Sequence, residues 1–354
     1  MGARRPLAAV RPWNSVLSFM TNRVGGVQRL RRGIGIAAYA LAATAGAQSA
    51  DRLPPVAARS ADLPMVMVVP FAQGGSAERV AAIVVESLGE ALNRRITTHR
   101  VDAGIGVGAL NEVAAITPGE IRVGYATSTQ LIEATLRNRP AGYSPMSEFE
   151  WLGIIGSFGN AVVVGPRESA ATFDQWLREV PSRTRRQRWG VGAPSAISTL
   201  AAHFLAGSLG IDPEFVTFMS ADASYEALRS GDIDASFDGV PNALQEAPRI
   251  NGRIIAVTSR ERVAVLPSAV AFGERWPGED FSVFAGLVVS AKEPEMVRAR
   301  LKSGWYGMNR LTAARARLGA IGVTYLGLDS TEAVGYMEGA YLRHARLLTR
   351  YGKP

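Results

Sequence analysis

Few side chains in this 354-residue sequence could do chemistry. Cysteine is absent, and the three histidines, His99, His203 and His344, lie too far apart to supply a metal-ligand spacing. His99 follows a predicted strand beside Arg100, His203 sits in an Ala-rich helical pattern, and His344 lies among arginines near the end. Each reads as a structural or surface residue, and no metal or cofactor is expected. No serine occupies a G-x-S-x-G elbow. The run GIGVG at 104–108 carries only the first spacing of a dinucleotide fingerprint, and AQGGSAE at 72–78 lacks the lysine of a phosphate loop. Asp234 and Asp238 stand four apart in a strand-like run, where alternation would put both on one side, but Asp238 is expected just past the strand's end. Three roles stay open for Asp238: a polar ligand contact, a structural cap or a catalytic acid.

The chemistry of the peptide N–H is better represented. Four small, polar segments, 71–76, 126–129, 192–198 and 238–242, each follow a predicted strand. In an open parallel sheet, ligands sit at such strand ends. At the first, Gly74 and Gly75 let backbone N–H groups face outward, and the following helix offers four unpaired donors. At the third, Ser195 or Ser198 could cap a helix while leaving its other donors free. Such termini can hold a carboxylate without a basic side chain. The alternative is that the glycines only make tight turns.

The elements that would position these loops alternate along the chain. Strands are predicted over 65–71, 96–101 and 121–125, with helices over 77–92 and around 109–115. After a Gly-containing stretch at 156–160, strands follow at 161–164, 189–192, 215–218, 233–237 and 254–257, separated by helices at 172–180, 200–209 and 223–230. A strand at 283–289 and amphipathic helices near 293–301 and 331–351 close the sequence. Strand, loop and helix in this rhythm predict α/β units with largely parallel sheets. The length suits two domains better than one.

The first 47 residues read differently. Arg29, Arg31 and Arg32 precede the uncharged run GIGIAAYALAATAGA, which ends in Ala45-Gly46-Ala47. A basic region, a short apolar run and a small-x-small exit are the parts of a secretory signal peptide. The polar, Pro-containing segment 48–61 then reads as a linker, and Met20 as a better start than Met1. Residues 1–47 hold seven arginines and no acid, so the remaining chain has 32 basic and 31 acidic residues. The overall basic balance therefore gives no support to nucleic-acid binding. A cysteine-free exported chain risks no mispairing in an oxidising compartment.

Several motifs stand in a telling order: Val68-Val69-Pro70-Phe71 with Gly74-Gly75 and Glu78, then Gly108-Ala109 and Tyr143-Ser144-Pro145 with Glu148-Phe149. Gly231-Asp232-Ile233-Asp234 with Phe237-Asp238 and Pro241 follow, then Ala256-Val257-Thr258-Ser259, Leu266-Pro267 and Phe284-Ala285-Gly286-Leu287. In these motifs, over about residues 62–354, the chain resembles the Bug family of periplasmic solute receptors, the binding subunits of tripartite tricarboxylate transporters. The resemblance implies a two-lobed type II periplasmic-binding (Venus flytrap) fold, with lobe one at 62–160 and 284–354 and lobe two at 161–283. It implies a monomer in the periplasm that captures a small carboxylate between its lobes, for transporter subunits or for a sensor protein, and does no chemistry on it. Carried over by position, Phe71, Ala72, Gly75 and Ser76 would form a first clamp, joined by Thr127 and Ser128. Ala193, Ser195 and Ser198 would face them, with Asp238 touching a hydroxyl, amine or distal group.

The sequence also departs from the family. Arg100-Val101-Asp102-Ala103-Gly104-Ile105-Gly106 replaces N-R-P-G-A-G-G and brings Asp102 to the cleft rim. Ser198-Thr199 stands where Ser-His is common, Val216-Thr217-Phe218-Met219-Ser220 lacks the Tyr and Lys of V-P-Y-K-G, and Pro118-Gly119-Glu120 shortens P-D-G-Y. The rival readings are an enzyme on the same fold, a receptor serving only a sensor, and an effector domain of a transcription factor. N-terminal sequencing of the periplasmic fraction should find a mature chain beginning near Gln48; an intact segment from Arg29 to Ala47 would refute export by this signal.

Overall fold

A computed structural model describes residues 63–70, 74–101, 106–133, 142–192, 196–218 and 220–351. The predicted signal, its cleavage site and the linker at 48–61 therefore lie outside the described residues. Twelve strands follow in order: β1 (Met65–Pro70), β2 (Ile96–Val101), β3 (Ile121–Thr127), β4 (Phe149–Phe158), β5 (Asn160–Val164), β6 (Arg188–Val191), β7 (Glu214–Thr217), β8 (Ala235–Gly239), β9 (Arg253–Val257), β10 (Val270–Ala271), β11 (Val283–Ser290) and β12 (Thr324–Asp329). Between and after them run the helices α1 (Ser76–Leu92), α2 (Val107–Ala114), α3 (Phe173–Glu179), α4 (Ile197–Leu209), α5 (Ala221–Ser230), α6 (Val240–Arg249), α7 (Phe272–Arg275), α8 (Glu295–Arg310), α9 (Thr312–Ala320) and α10 (Ser330–Tyr351).

The strands form two six-stranded sheets, β12-β4-β11-β3-β1-β2 and β10-β9-β5-β8-β6-β7. The inner strands of each sheet are buried on both faces, which explains why they read as nearly continuous apolar runs, whereas β2, β7 and β12 at the edges are largely exposed or half-buried. In β1, Met65, Met67 and Val69 face α1 and α8, whereas Val68 faces α2 on the other side. The second sheet is packed the same way. Trp176 of α3 and Leu200 and Leu205 of α4 cover one face, and Tyr225 of α5 with Val240 and Ala243 of α6 cover the other.

The sheets are mixed, which corrects the expectation of largely parallel ones. β1 pairs parallel with β2 and β3, but β11 runs antiparallel to β3 and β4, and β12 antiparallel to β4. β5 runs antiparallel to β8 and β9 in the other sheet. The cause is the path of the chain. β4 passes directly into β5, and β11 returns from the second sheet to the first. A strand that arrives from the opposite sheet enters against the local direction.

β4, where the sequence predicted no strand and showed only a Gly-containing stretch at 156–160, is a ten-residue strand. Its glycines serve close packing. A Cβ on Gly153 would lie 2.2 Å from the Leu328 carbonyl oxygen, and one on Gly156 would lie 2.4 Å from that of Thr324. Helix α6 starts with Pro241 in its first turn, where a missing N–H is tolerated, and carries Pro248 near its end.

The last helix spans both cores. Ala333, Met337 and Ala340 are buried with the first sheet, and Leu347 is buried among Phe204, Phe272 and Phe281 beside the second. Between them His344 is fully buried, its Nδ1 donating to the Ala340 carbonyl at 2.8 Å. Burial pushes its pKa down from 6.5 to about 4, so it is neutral in the folded protein near neutral pH. An unfolded histidine takes up its proton at higher pH, so stability is complete above about pH 6.5 and falls as pH drops toward 4. A shift of this size corresponds to roughly 3 kcal/mol across that window. Urea unfolding of the described fold at pH 7 and pH 4.5 should show this loss, and His344→Gln should flatten it.

Candidate functional site

The carboxyl ends of β1, β3, β6 and β8 carry the small, polar junctions, and the helices that follow are capped unequally. Helices α3 and α5 cap themselves: the Thr172 hydroxyl accepts the Gln175 N–H at 3.2 Å and the Ser220 hydroxyl accepts the Ala223 N–H at 3.4 Å. Helices α1, α4 and α6 begin after Gly75, Ala196 and Gly239, with no side-chain cap bond. Ser198 does not cap α4, and the other candidate cap, Ser195, falls outside the described residues. Ala196 holds the cap position, Ser198 lies inside the first turn, and residues 193–195 are outside the described residues. The N-cap positions of α1 and α4 supply no capping side chain, which suits their first-turn N–H groups to an anion, whereas in α6 the Val240 N–H donates to the Gly159 carbonyl and the Asn242 N–H to the Ser76 hydroxyl.

The loop after β1 is shaped by charge. Gly74 has φ of 94°, a left-handed conformation that only glycine adopts readily, whereas Gly75 is extended with φ of −92°. The Glu78 carboxylate turns back to accept the Gly74 N–H at 2.6 Å and also pairs with Arg100 at the end of β2. Burial alone would raise the Glu78 pKa. The Gly74 N–H and the Arg100 guanidinium outweigh it and hold the carboxyl below its ordinary range. Phe71 and Ala72, proposed for the first clamp, fall outside the described residues, as does Asp102.

At the end of β3, Thr127 is buried, and both its N–H and its hydroxyl reach Oε1 of Gln130, at 2.9 and 2.7 Å. The Ser128 hydroxyl is fully buried and has no hydrogen-bond partner among the described residues. Gln130 itself is buried, and its carbonyl accepts the Tyr143 hydroxyl at 2.7 Å. A Cβ on Gly106 would lie 2.5 Å from Pro70 and 2.7 Å from the Gln130 amide, so the ends of β1 and β3 and the start of α2 are pressed together. Gln130 was missed from sequence because nothing local marks it; its work is to fix a loop that precedes it.

Asp238 lies inside β8, not beyond it, because the strand starts and ends two residues later than its apolar run suggested. Its oxygens accept the Gly239 N–H at 2.7 Å and the Asn242 amide at 2.5 Å. The buried Tyr225 hydroxyl faces it without completing a hydrogen bond of good geometry. Burial raises the Asp238 pKa, and the nearby Glu246 adds to the rise, against the donors that favour its charged form. Asp234 is not part of this site. It accepts the Arg188 N–H at 2.8 Å and pairs with Arg185 at the opposite end of the strand.

The structure therefore brings Ser76 and Asp238 together through Asn242, whose N–H donates to the Ser76 hydroxyl at 3.2 Å. Ser198 stands apart at the head of α4, where Gly192 leaves its hydroxyl room: a Cβ there would lie 3.4 Å away. Among the described residues no group of three or more His, Asp or Glu is placed to hold a metal ion.

No family model matches the chain. It is 24% identical over 240 residues to the UPF0065 protein in the TAR-I ttuE-ttuC' intergenic region of Agrobacterium vitis, 67% of this chain and 69% of that one. It is 22% identical over 212 residues to Protein BugT of Bordetella pertussis, 60% of this chain and 65% of that one. Among solved structures, the periplasmic binding protein BugD superposes with a TM-score of 0.71 at 21% identity, covering 82% of this chain and 97% of that one. Rpa4515 of R. palustris, solved with adipate, gives 0.72 at 18% identity, with coverage of 82% and 97%. MatC of Rhodopseudomonas palustris, with bound malate, gives 0.68 at 19%, with coverage of 80% and 98%. The fold is thus that of the two-lobed periplasmic binding proteins.

The backbone geometry separates the two loop glycines. Gly74→Ala should lower stability by about 1–2 kcal/mol through its left-handed φ, whereas Gly75→Ala, with open space around its Cβ, should change it little. Parallel urea titrations of the two variants measure the difference.

Proposed function

We propose that this chain, similar in sequence to the Bug-type relatives and in fold to the periplasmic binding proteins, is a Bug-type periplasmic receptor that captures a small carboxylate between its lobes and releases it unchanged. The observation that carries the reading is the pair of uncapped helix starts, α1 after Gly75 and α4 after Ala196, at the carboxyl ends of β1 and β6. In this reading each turns main-chain N–H groups and a positive helix end toward the ligand, and neither N-cap residue has a side chain that could occupy them. The unpartnered Ser128 hydroxyl at the end of β3 supplies a further donor. The adipate and malate carried by the two Rhodopseudomonas proteins support the ligand class.

In this reading Phe71, Ala72, Gly75 and Ser76 clamp the carboxylate from one lobe, with Thr127 and Ser128 beside them. Ala193, Ser195 and Ser198 close on it from the other, and Asp238 meets the part of the ligand beyond the carboxylate. No side chain in the set is a base poised beside a nucleophile, so capture without turnover fits the residues best. The protein would work in the periplasm and pass its cargo to a tripartite tricarboxylate transporter.

Charge-assisted bonds of this kind contribute roughly 1.5–3 kcal/mol each. Gly75→Val sets a branched side chain where the backbone must meet the ligand, and the loss of two such bonds should weaken binding by about two to four orders of magnitude. Calorimetric titration with malate, adipate and a panel of monocarboxylates, beside native mass spectrometry of the freshly purified protein, tests this. Carboxylate binding that Gly75→Val leaves intact would remove the backbone clamp. A co-purified ligand without a carboxylate, or one returned chemically altered, would remove the proposed function.

A further inference from the structure

We infer that Ser76, Arg79 and Gly239 form a latch between the lobes that holds the cleft closed without help from a ligand. Helix α1 belongs to the first sheet, with Val80, Val84 and Leu88 buried in its core. Helix α6 belongs to the second, with Val240, Ala243 and Ala247 buried there. The first turns of these two helices meet across the cleft, and each bond between them is made by a side chain of one lobe to the other.

Helix α6 cannot cap itself. Gly239 has no side chain, Pro241 has no N–H, and the Asn242 N–H is left to find an acceptor outside its own helix. It finds the Ser76 hydroxyl, 166 residues away, at 3.2 Å. The opposite lobe thus supplies the cap. The approach is possible only because residue 239 is glycine: a Cβ there would lie 2.3 Å from the Ser76 Oγ and 2.9 Å from its Cβ. Gly239 has φ of −59° and ψ of 137°, a conformation open to any residue, so the glycine answers to the neighbour and not to the backbone.

One turn further along α1, Arg79 completes the contact. Its Nε donates to the Asn242 Oδ1 at 3.1 Å, and its terminal nitrogen meets Glu246 Oε1 at 3.0 Å. Asn242 and Glu246 are one helical turn apart and share a face. The Arg79 and Glu246 side chains are only 23% and 8% exposed, so salt and solvent screen the pair less than a surface pair. Glu246 also accepts Arg249 of its own helix at 3.1 Å, and Arg79 lies close enough to Glu78 to lower its pKa. Glu246 therefore keeps a partner when the lobes part, and the latch can release without stranding that carboxylate.

Asn242 extends the contact into the cleft. Its side-chain carbonyl holds Arg79 of one lobe while its amide holds the Asp238 carboxylate of the other. Closure and the setting of Asp238 are thereby one event. A population already closed binds any cleft ligand more tightly, because apparent affinity scales with the competent fraction.

The test needs no ligand, so its failure is distinct from failure of the proposed carboxylate capture. The sequence contains no cysteine, which lets spin labels go on Ala82→Cys of α1 and Ala223→Cys of α5, both exposed, without background. Pulsed electron resonance on the ligand-free protein should give one short interlobe distance. Arg79→Ala should shift the distribution to longer distances, and Gly239→Ala, which wedges the contact apart, should shift it further, with both variants still melting cooperatively. If either carboxylate probe binds, a tenfold drop in closed population should appear as about tenfold weaker binding. A parent already at the long distance, or variants that reproduce the parent's distribution, would overturn the latch.

Discussion

The hydrogen bonds around Asn160 make one molecule of the two sheets. The Asn160 N–H donates to the Thr258 hydroxyl at 2.9 Å, and the Thr258 N–H returns to the Asn160 carbonyl at 2.7 Å. The Asn160 amide then reaches the Phe281 carbonyl at 3.3 Å, and the Phe281 N–H reaches Thr258 at 3.0 Å. Both crossings between the sheets, β4 into β5 and the return toward β11, are thus tied to the end of the same strand, β9. Asn160, Thr258 and Phe281 are all buried, so each of these groups would be expensive to leave unpaired. The knot ties both crossings to one point, so the two sheets are joined there by paired, buried groups.

From that constraint the character of the site follows. Strands that point their carboxyl ends at a shared cleft deliver helix starts to it, and a helix start is a donor array whose value depends on what else claims it. Where Thr172 and Ser220 claim it, the array is spent internally. Where Gly75, Ala196 and Gly239 stand, it stays open to a partner from outside the helix. Side-chain chemistry is held back from these positions, and charge acts around them instead. Glu78 and Arg100 shape the loop, and Arg79 and Glu246 face one another across the gap.

Much of this was legible in the sequence, for reasons that also mark where reading stops. The two-sheet fold came through because strands buried on both faces read as apolar runs and their ends as Gly, Ala and Ser. β4 did not, because Gly153 and Gly156 imitate a loop while serving a tight fit against Leu328, Thr324 and Trp305. Helix α6 was hidden by Pro241 and Pro248, which are harmless where they fall. Gln130 and Asn242 carry no local signal at all. Asn242 acquires its role from residues more than 160 positions away, and no pattern within one element reports such a pairing.

The long last helix sets a limit on all of this. Its 22 residues form a rod of about 33 Å, with one end sunk in the core of the first sheet and the other in that of the second. Tyr336 and Arg343 lie on it beside Ser157 and Asp280, next to the two crossings. A hinge made of strands alone could bend in several directions. A stiff strut anchored in both cores narrows the ways in which the two sheets can move against each other. A molecule braced in this way loses less freedom when its two sheets draw together, so less of any binding energy is consumed in ordering it.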